Sequence, residues 1–203
     1  MGLNASVGDL ASEKIASWTR FDLFRTALET VGWQHFPTLE AELPEDEGTM
    51  PAASAAKALA ELRHFTEQIA VGRNARLVDE DTGAELWTHA PSNGGVFALG
   101  PTYRIGIDFD GFFVRDPRTD PATELFRAMR LTQRAVETGV EFDDGRNRVT
   151  VARRPLAGTD DAPPTRLAVV VRTETPADYS SIVDALARIF RASADSGIPV
   201  KWF

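Results

Sequence analysis

The spacing of apolar residues along this chain begins helical and becomes strand-like. The opening stretch "GLNASVGDL" suits a short strand followed by a turn at Gly8-Asp9. Over residues 18–32, Phe21, Phe24, Leu28 and Val31 recur at helical spacing, and Gly32 follows as a left-handed terminator. Pro37 can then open a second short helical stretch within "WQHFPTLEAEL". Residues 44–51, "PEDEGTMP", are acidic and bounded by prolines, which predicts an exposed loop. A strong helix is expected from an N-cap at Ser54 to about Ala70, with Ala55, Leu59, Leu62, Thr66 and Ile69 as its apolar stripe. Residues 71–95 show only turn signals, "DEDTG" and "PSNGG", around short apolar pieces.

From Gly95 the pattern turns to strands. "GVFALG", "YRIGIDFD" and "GFFVRD" are rich in β-branched and aromatic residues and are broken at Gly and Pro. "TDPATELFRAMRLTQRAVETG" reads as a helix capped by Thr119 or Asp120, with Pro121 in its first turn and Gly139 at its end. "VEFDD" follows as a strand. The two stretches beginning at "FFVRD" and "VVVRTE" share an order of strand, Pro-rich cap, helix, glycine and strand. That order predicts two strand–helix–strand units in the C-terminal half, joined through a hairpin across "AGTDDAPP". The expected fold class is α+β, with a mostly antiparallel or mixed sheet and amphipathic helices mainly on one face. Residues 1–146 form the principal region of this reading, and 147–203 an extension on the same core.

Composition adds limits. The 203 residues are 43% hydrophobic and 26% charged, ordinary for a globular chain with a real core. No apolar run is long enough to span a bilayer, and the N-terminus lacks the basic and apolar segments of a secretory signal, so a cytoplasmic location is expected. With no cysteine, disulfides, thiolate metal sites and cysteine nucleophiles are excluded. The net charge of −8 argues against nucleic acid as a partner.

One stretch suggests chemistry. "IDFDGFF", residues 107–113, resembles the nucleophile loop of haloacid-dehalogenase-type phosphatases, in which paired aspartates act as nucleophile and acid/base. That chemistry also needs a lysine and a magnesium-binding set. Here the only lysine after Asp110 is Lys201, and Phe112 stands where that family has threonine. The simpler reading is a turn between two strands, with Gly111 allowing the bend and solvated aspartates beside it. His35, His64 and His89 are scattered without metal-ligand spacing, and no serine sits in a nucleophile elbow. Catalytic residues, cofactors and metals are therefore not expected.

What rises above background is patchy acidity. Glu40, Glu42, Glu45, Asp46 and Glu47 form one group, Asp79, Glu80, Asp81 and Glu85 a second, and Glu137, Glu141, Asp143 and Asp144 a third. Such groups steer a basic partner, while aromatic residues such as Trp18, Trp33, Trp87 or Trp202 could anchor it.

The order of "GLNASVGDL", "FRTALETVGWQHFPTLEAEL", "AAKALAELRHF", "GFFVRD", "ATELFRAMRLTQRAVETG" and "VEFDD" resembles a bacterial immunity protein of the polymorphic toxin systems, most like the family catalogued as immunity protein seventy. The resemblance covers roughly residues 1–144, and its most specific piece is Gly32-Trp33 with Phe36-Pro37, Leu39 and Leu43. It implies a small, non-enzymatic cytoplasmic protein that neutralises a cognate toxin domain by protein–protein contact. The loop "PEDEGTMP" and the residues beyond 144 depart from the family pattern. A basic toxin, such as a nuclease, would suit an acidic inhibitor. The alternatives are a magnesium-dependent phosphatase using Asp108 and Asp110, and a structural self-assembling domain.

Overall fold

The computed structural model describes residues 2–157 and 163–203. In chain order its first elements are β1 (Gly2–Val7), β2 (Ala11–Ser17), α1 (Trp18–Val31), α2 (Pro37–Glu42), β3 (Gly48–Met50) and α3 (Ala52–Thr66). Then come β4 (Gly72–Asp79), β5 (Glu85–Thr88), β6 (Val96–Gly100), β7 (Tyr103–Asp108), β8 (Gly111–Asp116), β9 (Thr123–Ala128) and β10 (Arg130–Val136). The last are β11 (Gly139–Asp143), β12 (Arg148–Val151), β13 (Arg166–Glu174), α4 (Ser180–Ser196) and β14 (Val200–Trp202). Among the described residues the class is α+β, with strands in three antiparallel sheets. The chain forms two compact units, Met1–Gly72 with Thr173–Phe203, and Arg73–Arg172. The boundary read from sequence at 146/147 falls inside the second unit, in the turn between β11 and β12.

The first unit is a sheet of order β2-β1-β14-β3 with helices on its apolar face. In β1 alternate residues Leu3, Ala5 and Val7 are fully buried, as a half-covered strand requires. They share a core with Phe24 of α1, Phe65 of α3 and Phe190 of α4. The Ser17 side chain accepts the Arg20 backbone N–H and caps α1, and Pro37 opens α2 as its spacing predicts. Two expectations need correction. The segment 44–51 is a loop only through Glu47, because Gly48–Met50 pairs with β14 and Met50 is fully buried. α3 starts after Pro51, not at Ser54, whose hydroxyl instead donates to Glu42 Oε1 at 2.7 Å. It also ends at Thr66, which leaves Ile69 outside the stripe and 93% exposed.

The second unit is built of strands. One sheet has the order β12-β11-β10-β13-β4-β5 and the other β6-β7-β8-β9. Their buried faces share one core that includes Leu77, Ile105, Phe112, Phe126, Leu131, Phe142 and Leu167. Strands β6, β7, β8 and β11 lie where the sequence pattern places them.

The helix expected over 119–139 is absent; β9 and β10 replace it. Leu125, Phe126 and Met129 mimic helical spacing, and Glu, Leu, Arg, Ala and Met favour helix locally. Burial tells a different story: Phe126, Leu131 and Gln133 are inside, whereas Leu125 and Met129 are exposed. Pairing of β9 with β8, and of β10 with β11 and β13, overrides the local preference. Gly139 follows the β10–β11 turn at φ +143°, where an added Cβ would lie 2.0 Å from the Val151 carbonyl oxygen. Only the second strand–helix–strand order remains, as β13–α4–β14, and its strands belong to different sheets. Nor do β12 and β13 form a hairpin: β12 pairs with β11, and β13 with β10. Of the stretch "AGTDDAPP", residues 158–162 lie outside the described residues.

Candidate partner-binding surface

The motif "IDFDGFF" is a hairpin. β7 and β8 join through Phe109-Asp110, with Asp108 opposite Gly111. The Asp110 backbone N–H donates to Asp108 Oδ1 at 2.9 Å, closing the turn. Gly111 has φ +130°, and an added Cβ would lie 2.7 Å from the Ala128 carbonyl oxygen of β9. Alternation then decides each side chain's surroundings: Ile107 and Phe112 join the shared core, and Asp108 and Phe113 lie on the other face.

Asp108 is not solvated as the turn reading supposes. Its side chain is 24% exposed, with Oδ1 2.5 Å from Arg127 Nη1 and Oδ2 3.7 Å from Arg115 Nη2. Glu124 accepts from Arg127 Nε and Nη2 at 2.9 and 2.7 Å. Both guanidinium groups lie against the ring of the fully buried Phe113, 4.0 Å (Arg115) and 5.5 Å (Arg127) from its centre. Burial pushes the Asp108 carboxyl up, but hydrogen bonds from Arg127 and the Asp110 N–H, with the two arginine charges, outweigh it and hold it below its ordinary range. The hydrogen bond from Arg127 likewise lowers Glu124, despite partial burial.

This network makes the second unit acid-labile. Arg127 holds Asp108 and Glu124 below their ordinary range, and outside this network hydrogen bonds from Arg118 hold the exposed Asp116 at about 2. Their stabilisation is complete above the ordinary carboxylate range and is lost as pH falls through it toward about 2. The urea midpoint should fall below about pH 4.5. Arg127→Met should cost about 1–2 kcal/mol at neutral pH and flatten that acid dependence. An unchanged acid slope in Arg127→Met would remove the network from this account.

The acidic groups are distributed unequally. In the first unit Glu40 and Glu42 are on α2, and Glu42 is held by Ser54. Glu45 reaches Arg25 at 3.6 Å, and Asp46 and Glu47 are exposed. In the second unit Asp79 accepts the Asp81 backbone N–H and the Thr82 hydroxyl at 2.9 and 2.7 Å, which shapes the β4–β5 turn. Those bonds lower its pKa, the Thr82 hydroxyl most. Glu80 and Asp81 pair with Arg166 at 2.9 and 3.0 Å, and Glu80 with Arg130 at 3.4 Å.

Asp143 and Asp144 shape the β11–β12 turn. Asp143 Oδ1 accepts the Gly145 N–H at 2.6 Å, and Asp144 Oδ1 the N–H groups of Asn147 and Arg146 at 2.6 and 2.8 Å. The fold brings two of the three acidic groups together: Glu80, Asp143 and Asp144 border one cavity of about 390 Å³, with Arg130 and Thr132 on β10. The group at 40–47 belongs to the other unit.

No family model, curated protein or solved structure matches the chain. The surface is therefore read from its own residues. Among the tryptophans, Trp202 is buried, Trp18 and Trp33 pack on the first unit's core, and Trp87 is 44% exposed and stacks on Phe97 at 4.8 Å. Two histidines that look scattered in sequence meet, with the rings of His35 and His64 5.5 Å apart. His89 lies against Phe109, and burial lowers its pKa against the opposing pull of Asp108. Among the described residues, no group of His, Asp or Glu is arranged to hold a metal ion, and no helix is long and apolar enough to cross a membrane.

Sequence reading missed the arginines. Arg127 and Arg115 engage Asp108, while Arg130 and Arg166 offset Glu80. For Arg146 and Arg148 alone a usable signal was present: in "DDGRNR", residues 143–148, acid and base are separated by one turn glycine.

Proposed function

We propose that this chain is a non-enzymatic binding protein of the immunity type, which occludes a basic toxin domain in the cytoplasm of the producing cell. The convergence of Glu80, Asp143 and Asp144 on one cavity carries the reading, because Glu80 is distant in sequence from the adjacent Asp143 and Asp144 and only the fold brings it beside them. The net charge of −8 supports it. Partly neutralised carboxylates at a rim act mainly on encounter: they raise the association rate and set its salt dependence. The acidic residues around Glu45, Asp46 and Glu47 would add to the same long-range field.

The test looks in the gene beside this chain's own for a basic toxin domain and follows association with it by surface plasmon resonance; the absence of such a domain counts against the reading. Asp144→Asn keeps an acceptor for the turn and removes the charge. Combined with Glu80→Gln, it should slow association about three- to ten-fold at low salt and flatten the salt dependence. Charge reversal at Glu45, Asp46 and Glu47 should act in the same direction. Unaltered association in both variants, or no complex at all, would discard the reading.

A further inference from the structure

The β11–β12 turn separates two cavities of opposite character. Asp143 and Asp144 face the acidic one, whereas Arg146, Asn147 and Arg148 border a second, of about 550 Å³. The other wall of this groove is four consecutive residues of β9, Glu124 to Arg127. β9 is the outermost strand of its sheet, and among the described residues no strand pairs with the side of its backbone away from β8. Leu125, at the irregularity in the β8–β9 register, is 45% exposed there. Three arginines and one glutamate line the groove, the reverse of the balance in a chain of net charge −8. Arg148 also pairs with Asp143 at 3.0 Å and Arg127 with Asp108 at 2.5 Å, which fixes both guanidinium groups at the groove without covering Arg146.

We propose that this groove docks an extended acidic segment of a partner protein, added as a further strand along β9. Backbone hydrogen bonds to a free strand edge supply sequence-independent affinity, and alternate side chains supply selection. Here selection comes from carboxylates meeting Arg146 and Arg148, with an apolar residue of the segment against Leu125. A volume of about 550 Å³ suits a few residues of extended chain. The acidic cavity across the turn would repel such a segment, so the two sites have partners of opposite charge.

The probe is a fluorescein-labelled peptide, Thr-Glu-Val-Glu-Val-Glu, with a Lys-for-Glu counterpart, titrated into the full chain at low and moderate salt. The glutamate peptide should bind and weaken steeply with salt, and the lysine peptide should bind at least ten-fold less tightly. Backbone amide shifts should concentrate at 123–128 and 146–148. Arg146→Glu lies in the exposed turn, outside the Arg148–Asp143 ion pair, and should keep the wild-type urea midpoint while losing about ten-fold in affinity. Failure of the glutamate peptide to bind, equal binding by the variant, or shifts confined to other strands would overturn the proposal. Binding of an oligothymidylate in place of the peptide would do so too, since the groove would then be an anion site for nucleic acid.

Discussion

Phe112→Ala should destabilise the second unit by about 3–5 kcal/mol, the largest loss expected from a single side chain in this protein. Phe112 is fully buried, with its ring 4.8 Å from that of Phe142 on the facing sheet, and 6.3 and 6.5 Å from Phe126 and Phe97. Truncation opens a cavity between two sheets whose backbones cannot collapse into it, so the lost transfer energy and the lost packing add. Urea unfolding followed by circular dichroism should give a much lower midpoint with an unchanged slope. Asp108→Asn should cost far less, because the amide still accepts from the Asp110 N–H and from Arg127. If Asp108→Asn proves the more damaging, the motif is held by charge and not by its phenylalanine. The phosphatase-like stretch is thus explained by its apolar members: Phe112 fills the core, and the aspartates serve the turn and the arginine network.

The second large effect is expected at Gln133, a residue with no special standing in the sequence. It is 3% exposed on β10, and its amide donates to the carbonyl oxygens of Leu156 and Pro164, each at 2.7 Å. Its Oε1 accepts the Leu156 N–H at 2.8 Å. A similarly sized leucine keeps the volume and leaves three backbone groups without a partner. Gln133→Leu should therefore cost about 3 kcal/mol and should release the chain on either side of Leu156 and Pro164. Limited proteolysis should cut the variant there well before any other site. Wild-type resistance in the variant would show that other bonds hold this connection.

The amphipathic helices α1, α2 and α4, strands β6 to β8, and the turn at Asp108–Gly111 could be read directly from residue order. Their signals are local: apolar spacing, a proline at a first turn and a glycine where the backbone needs one. The acidic groups were equally visible, since charge is a property of composition. Residues 123–136 could not be read this way. Leu125, Phe126 and Met129 fit a helix as well as a strand, and only pairing with β8, β11 and β13 fixes Phe126 and Leu131 inside and Leu125 outside. Long-range pairing likewise brought Glu80 beside Asp143 and Asp144, set two arginines on Asp108, and left one edge of β9 without a hydrogen-bonded strand among the described residues.

In the proposed function, carboxylates and guanidinium groups separated by one tight bend sort macromolecular partners by sign. Two ligands of contrary charge competing for the same face would end it. The linear code thus specified which segments are amphipathic and how much charge the chain carries, whereas sheet registry, a cooperative and non-local choice, decided where that charge is displayed.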